Sequence, residues 1–87
     1  MNSNIKWKNK RGIHELNTDF FKISVMNIHV NYPGQWIMQC QPFYYNYKLE
    51  VDTESGAKLL SIKLVYRKLE SLLRQLNEVF PGLGDAI

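Results

Sequence analysis

Two kinds of apolar spacing divide this chain. Between Phe20 and Val51 the apolar residues recur mainly at every second position, which is typical of half-buried β-strands. From Ala57 to about Phe80 they recur at intervals of three and four, as on one side of an amphipathic helix. The pattern therefore predicts an α+β fold, a two-layer sandwich in which an antiparallel, hairpin-rich sheet of three to four strands packs against one long C-terminal helix.

The length of the chain limits this fold to one domain. With 87 residues there is room for a single modest core. We expect one domain over residues 1–87, in which 1–11 form a basic arm or an edge strand, 20–51 the sheet, 54–80 the helix and 81–87 a tail.

Within the sheet region, turn residues separate three main strands. Residues Phe20–Val30 predict the first strand, although the alternation changes phase at Met26. Either a bulge near Met26 or a strand covered on both faces explains the change. Pro and Gly in Tyr32–Gln35 predict a type II turn that leads into a second strand over Trp36–Gln41. The third strand is predicted over residues 43–51.

The helix begins with capping residues and then presents a broad apolar side. Asp52 and Thr53 are suitable N-cap residues, and Glu54 places a carboxylate in the first turn. Its apolar side has the members Leu59, Ile62, Val65, Tyr66, Leu69, Leu72, Leu73, Leu76, Val79 and Phe80. We expect Leu69 and Leu72, at its centre, to be buried against Phe21, Ile23 and Trp36 of the sheet. The helix is longer than a typical strand, so one end should project or find another partner.

A second apolar feature lies far from this side on a helical wheel. Leu60 and Leu64 are one turn apart, and Lys63, Arg67 and Arg74 surround them. A leucine pair with a cationic rim predicts a partner-binding patch, either the seam of a homodimer or a docking site. The alternatives are that these leucines are singly exposed, as in most proteins, or that the preceding loop folds over them.

A basic arm at the N-terminus is the second candidate surface. It comprises Lys6, Trp7, Lys8, Lys10 and Arg11. Cations interleaved with an aromatic ring suit nucleic acid, so these residues and an aromatic sheet face are candidates for nucleic-acid binding. The alternative is an ordinary solvated arm, since a net charge of +3 is small for a nucleic-acid-binding domain.

Catalytic and metal-binding chemistry finds little support in the residue spacing. His14, His29 and Cys40 are the nitrogen and sulfur ligand candidates, and none stands at a metal-ligand spacing. Cys40 shares a predicted strand face with Trp36 and Met38, which favours an inert buried thiol over a nucleophile. We therefore expect no enzyme, no cofactor and no metal.

Cysteine content and hydropathy bear on the compartment. One cysteine excludes an internal disulfide, and neither a signal peptide nor an apolar run of about 20 residues is present. We expect a cytoplasmic protein that does not enter the membrane. Small stand-alone chains of this composition include many phage- or plasmid-type inhibitors of the anti-CRISPR and anti-defence class. The leading hypothesis is such a non-enzymatic protein-binding module, and the alternative is a nucleic-acid-binding module.

Overall fold

The structure is a computed structural model that describes residues 6–80. Five strands precede one helix: β1 Trp7–Lys10, β2 Ile13–Asn17, β3 Lys22–Met26, β4 Ile37–Cys40, β5 Tyr44–Lys48 and α1 Glu54–Val79. The strands lie in chain order, and each pairs antiparallel with the next. The predicted α+β class is confirmed, although the sheet has five strands and not three to four. The predicted tail, residues 81–87, lies outside the described residues.

The first hairpin accounts for the higher strand count. Arg11 and Gly12 connect β1 to β2 with φ values of 55° and 87°. Two consecutive residues with positive φ form a type I′ turn, which matches the twist of a two-residue hairpin. The Asn9 Oδ1 atom accepts a hydrogen bond from the Gly12 N–H at 2.8 Å. This side-chain bond supports a turn in which a non-glycine residue adopts the left-handed region.

The predicted type II turn is present, but the strand before it is shorter than expected. The Gln35 N–H donates to the Tyr32 carbonyl at 3.2 Å, and Gly34 has a φ of 73°, as a type II turn requires. The prediction of a strand from Phe20 to Val30 is wrong, because β3 ends at Met26. Residues 27–36 form a connecting loop that contains the turn.

The phase change at Met26 reflects burial on both faces of β3. Residues 22–26 pair with β2 and β4 without a shift in register, so the predicted bulge is not there. Ile23 and Val25 belong to the core under the helix, whereas Ser24 and Met26 are buried on the opposite face. The sheet does contain a register shift, but it lies between β4 and β5. It occurs at Gln39, between Met38 and Cys40.

The core lies between one face of the sheet and the N-terminal half of α1, which packs on β3 and β4. Its buried members are Ile23, Val25, Trp36, Met38, Cys40, Leu49, Ala57 and Val65. From the helix, Ala57 and Ser61 are fully buried beside Val65. The Ser61 hydroxyl donates to the Lys58 carbonyl at 2.8 Å, so burial leaves no polar group unpaired there.

The side of α1 that faces the sheet is rotated from the predicted one, and of the predicted apolar residues Val65 alone is buried. Leu60 and Leu64 are half-buried and pack against the core, so the expectation that they face away from it is wrong. Leu69 and Leu72 are 40% and 44% exposed, so their predicted burial is also wrong. Small residues explain the rotation, because a helix side bearing alanine and serine can approach the large side chains of the sheet closely.

The helix extends well beyond the strands that it covers. At about 1.5 Å per residue its 26 residues span about 39 Å, whereas a five-residue strand spans about 17 Å. Within the described chain, α1 has no buried residue after Val65. The C-terminal half of α1 therefore projects from the sheet, as the length predicted.

Polar contacts fix the first turn of α1 to the sheet. Thr53 is the N-cap, as predicted, and its Oγ1 accepts from the Gly56 N–H at 3.0 Å. The Glu54 carboxylate lies 2.8 Å from Lys58 Nζ and 3.3 Å from His14 Nε2 of β2. Its pKa is lowered, first by the hydrogen bond from Lys58 and further by the nearby charges of His14 and Lys58, while desolvation opposes the shift.

Candidate functional site

The most distinctive surface of the molecule is an exposed apolar line along α1, next to the side of the helix that packs on the sheet. Its seven side chains are between 40% and 63% exposed. We call this line the heptad seam, and its members are Leu59, Ile62, Tyr66, Leu69, Leu73, Leu76 and Phe80. The first six lie in α1, and Phe80 is its C-cap residue.

The spacing of the seam is that of a coiled coil. Successive members are three, four, three, four, three and four residues apart, which assigns them to positions a and d of three heptads and position a of a fourth. A repeat of 3.5 residues keeps a line of side chains facing a partner helix, whereas a sheet of short strands requires no such regularity. The seam therefore has the pattern of a helix that packs against another helix.

The residues that contact the sheet occupy the other side of the same helix. With Leu59 at position a, Ala57 and Leu64 fall at f and Ser61 at c, nearly opposite the seam. Val65, at position g, lies between the two sides and is buried. One margin of the seam is consequently open beside Lys63 and Glu70, while the other borders Leu16 and Phe21 of the sheet region.

A groove of about 140 Å³ runs along one margin of the seam. The sheet contributes Leu16 and Phe21 to its walls, and the helix contributes Ile62, Val65 and Leu69. The exposed surface of this groove is apolar. The groove extends the seam sideways and widens the surface that another apolar side chain could cover.

The 3.5-residue spacing of this surface is present in the sequence, but the apolar pattern predicts that its residues face the core. The predicted apolar side merged the seam with Val65, Leu72 and Val79, which form the neighbouring g row. A separate count of the unbroken a and d positions from Leu59 to Phe80 would have distinguished the two rows. The sheet is too short to cover such a line.

The five predicted partner-binding residues do not form one exposed patch. Leu60 and Leu64 are half-buried, whereas Lys63, Arg67 and Arg74 are exposed. Lys63 and Arg67 line the surface beside two members of the seam, together with Glu70. The partner-binding role of these residues stays a prediction, now without the exposed leucine centre on which it depended.

The predicted basic arm is divided between the two faces of the sheet. Trp7 packs towards the core, and Lys58 Nζ lies 5.6 Å from the centre of its ring. Because side chains alternate along a strand, Lys8 and Lys10 point to the opposite face. Lys6 and Arg11 are exposed at the two ends of β1. The ring that was expected to stack on bases is therefore not beside the cations of β1.

The sheet face away from α1 carries cations, which are partly balanced. Lys22 lies on this face with Lys10, and Glu15 lies between them, 3.2 Å from Lys10 Nζ and 3.7 Å from Lys22 Nζ. The hydrogen bond from Lys10 lowers the pKa of Glu15, desolvation opposes the shift, and the charges of both lysines add to it. Lys48 joins this face opposite Ile37. This open sheet face is basic but not uniformly so.

The remaining candidates for chemistry lie apart from these surfaces. Among residues 6–80, no three His, Cys, Asp or Glu side chains form a group that could hold a metal. Cys40 is buried, and this burial raises the pKa of its thiol. The His29 Nδ1 atom accepts from the Asn31 N–H at 3.1 Å within the loop. In the described part of the chain, no helix has the length and apolarity that a bilayer crossing demands.

Comparisons with known proteins give no relative from which a function could be transferred. No protein-family model, curated protein or solved structure is significantly similar to this chain. The function is therefore argued from its own surfaces.

Proposed function

We propose that this chain is a small non-enzymatic protein-binding module and that its contact surface is the heptad seam. The supporting observation is the exposure of seven large apolar side chains along one helix whose opposite side forms the core. Contiguous apolar patches on soluble proteins commonly mark sites of interaction.

The size of the seam supports a protein partner in particular. Its 22 residues, from Leu59 to Phe80, span about 33 Å at about 1.5 Å per residue. A leucine that faces water gains nothing, but its full burial contributes about 1.5–3 kcal/mol. A partner helix could desolvate several such side chains at once, which a small ligand could not do along a line of this length.

A matched pair of double variants tests this function. L69E/L73E places two carboxylates on the seam, and both positions are exposed, so the fold should persist. K68Q/Q75E changes the net charge by the same amount at exposed positions outside both the seam and the predicted partner-binding residues. Wild-type protein and both variants would be used to capture proteins from nuclease-treated extract of the native host, and the bound proteins would be quantified by mass spectrometry.

The expected result is a protein that the wild type and K68Q/Q75E retain equally and that L69E/L73E loses. If all three forms retain the same proteins, and the wild type also does not bind itself, the seam is not a protein-binding surface and the proposal fails.

Nucleic-acid binding is a second candidate because of the open sheet face. Lys8, Lys10, Lys22 and Lys48 are all exposed on that side of the sheet. Binding to phosphates would weaken steeply with added salt through counterion release. A wild-type protein that shifts no DNA or RNA at about 50 mM salt would eliminate this candidate.

The finer functional class rests on the sequence alone. A phage- or plasmid-type inhibitor that occupies the surface of a target protein fits a short chain with a docking surface, and we retain it as part of the proposal. A cytoplasmic location fits the single cysteine, since structural disulfides are rare in reducing compartments. Identification of the captured protein would test both.

A further inference from the structure

We infer that the occupant of the heptad seam is the seam of a second copy of this chain, in an antiparallel two-helix coiled coil. This inference rests on the proposed function and names the partner for the same surface. Two identical helices joined about a twofold axis bury the same residues on both sides, which is the commonest form of protein association.

The composition of the seam suits a copy of itself. All seven a and d positions are apolar, so each side chain can pack between residues of the same kind on the opposing helix. None of these positions carries a charged or amide side chain, which often prescribes a different partner or register, and the Tyr66 hydroxyl is the one polar side-chain group among them. Ala57 and Ser61, which are fully buried, lie at positions f and c, so this pairing would leave them against the sheet.

Charges beside the seam favour the antiparallel direction. In a parallel pair, position g faces position e of the next heptad, which would bring Lys58 against Lys63 of the second copy. In an antiparallel pair, e faces e. With Leu59 opposite Leu76, Lys63 then faces Glu70 of the second copy, and the twofold axis repeats this pair.

The same charges select the register. Displacement by one heptad in one direction brings Glu70 against its own copy, and displacement in the other brings Lys63 against its own copy. Like charges held this close repel each other. The register with Leu59 opposite Leu76 retains six layers of seam residues and two attractive pairs.

The groove beside the seam has an occupant in this arrangement. At the g positions, Val65 faces Leu72 of the second copy, and Val65 forms part of the groove wall with Leu16 and Phe21. Leu72 is 44% exposed in the single chain. Its insertion over the groove would cover apolar surface that lies outside the seven seam residues.

Exchange of the charged pair tests both the partner and the direction. The mass of the wild-type protein would be measured by light scattering and sedimentation over a range of concentrations, and we expect a dimer that dissociates on dilution. K63E and E70K should each raise the dissociation constant about tenfold, because each creates two like-charge pairs. K63E/E70K should restore the wild-type value, and K68Q/Q75E should not change it.

The possible outcomes separate this inference from the proposed function. A wild-type monomer at all concentrations overturns the inference, while the proposed function stands if L69E/L73E still loses a captured protein. A dimer that L69E/L73E leaves intact, with its circular dichroism unchanged, also overturns it. A dimer in which K63E/E70K fails to recover affinity overturns the antiparallel register. Dissociation by L69E/L73E together with recovery by K63E/E70K supports the inference in full.

Discussion

The two sides of α1 differ in a way that apolar content alone does not explain. The sheet-facing side presents Ala57, Ser61 and Val65, which are buried. The seam presents larger and more apolar side chains, yet they remain 40–63% exposed. Burial in this molecule follows close approach between helix and sheet, for which small side chains are better suited than large ones.

This difference supports the proposal that α1 has a second packing surface besides the core. Its N-terminal half completes the core of the domain, whereas its seam continues at a constant 3.5-residue repeat past the end of the sheet. Packing against the sheet does not require the 3.5-residue repeat to continue beyond the residues that contact the sheet. The continuation is explained if the second side packs against another helix.

The largest expected effect comes from comparing two single variants, one with a carboxylate on the sheet-facing side of α1 and one with a carboxylate on the seam. Val65→Asp would bury an unpaired charge and should lower the free energy of unfolding by more than about 3 kcal/mol. Leu69→Asp, on the seam, should leave the isolated domain folded because that position is 40% exposed. Urea unfolding followed by circular dichroism at low protein concentration would measure both, and equal midpoints would mean that the two sides do not differ.

A smaller and more discriminating contrast uses leucine truncation. Leu64→Ala removes a half-buried side chain that packs on the core, and should cost about 1–2 kcal/mol, part of the value for full burial. This loss should not depend on protein concentration. Leu73→Ala should have little effect on the dilute chain and a growing effect as association increases, because binding stabilises the folded state by mass action. Thermal unfolding at several concentrations would compare them, and parallel curves for both variants would contradict the contrast.

Features set by local chemistry were predictable from the sequence. The α+β class follows from the two spacings, the turn at Tyr32–Gln35 from its Pro and Gly, and the helix start from Thr53. The first hairpin was predicted only as one alternative, an edge strand within residues 1–11, because the spacing does not report the bond that the Asn9 side chain accepts from Gly12 beside the left-handed Arg11.

Features set by tertiary packing were harder to predict. The end of β3 at Met26 depends on where the loop over residues 27–36 begins. The burial of Ser61 depends on the hydrogen bond from its hydroxyl to the Lys58 carbonyl of the same helix. The orientation of α1 depends on which side the sheet approaches. Apolar counts do not report this, and the seam was therefore assigned to the core although its spacing was visible in the sequence.

The N-cap of α1 offers a test at the end of the helix that packs on the sheet. Thr53→Ala removes the acceptor of the Gly56 N–H and should lower the free energy of unfolding by about 1 kcal/mol. Thr53→Ser keeps a hydroxyl at the same position and serves as the control, with a smaller loss. Chemical unfolding of the three proteins would measure this, and equal stability of Thr53→Ala and the wild type would show that the cap does not hold the first turn.

The smallest expected effect is a pH dependence at the junction of α1 and β2. The Glu54 carboxylate contacts Lys58 and His14, and its pKa in the folded protein lies below the ordinary value of 4.5. A lowered pKa means that the contribution of Glu54 is fully present above pH 4.5 and is lost as the pH falls through the folded-state pKa. Glu54→Gln should therefore be slightly less stable than the wild type near neutral pH, and the difference should vanish under acid conditions. Because the carboxylate is exposed, solvent screening keeps the effect below that of the cap. Unfolding measured from pH 7 into the acid range would follow the difference, and a gap that persists or grows on acidification would show that the carboxylate does not hold this end of the helix.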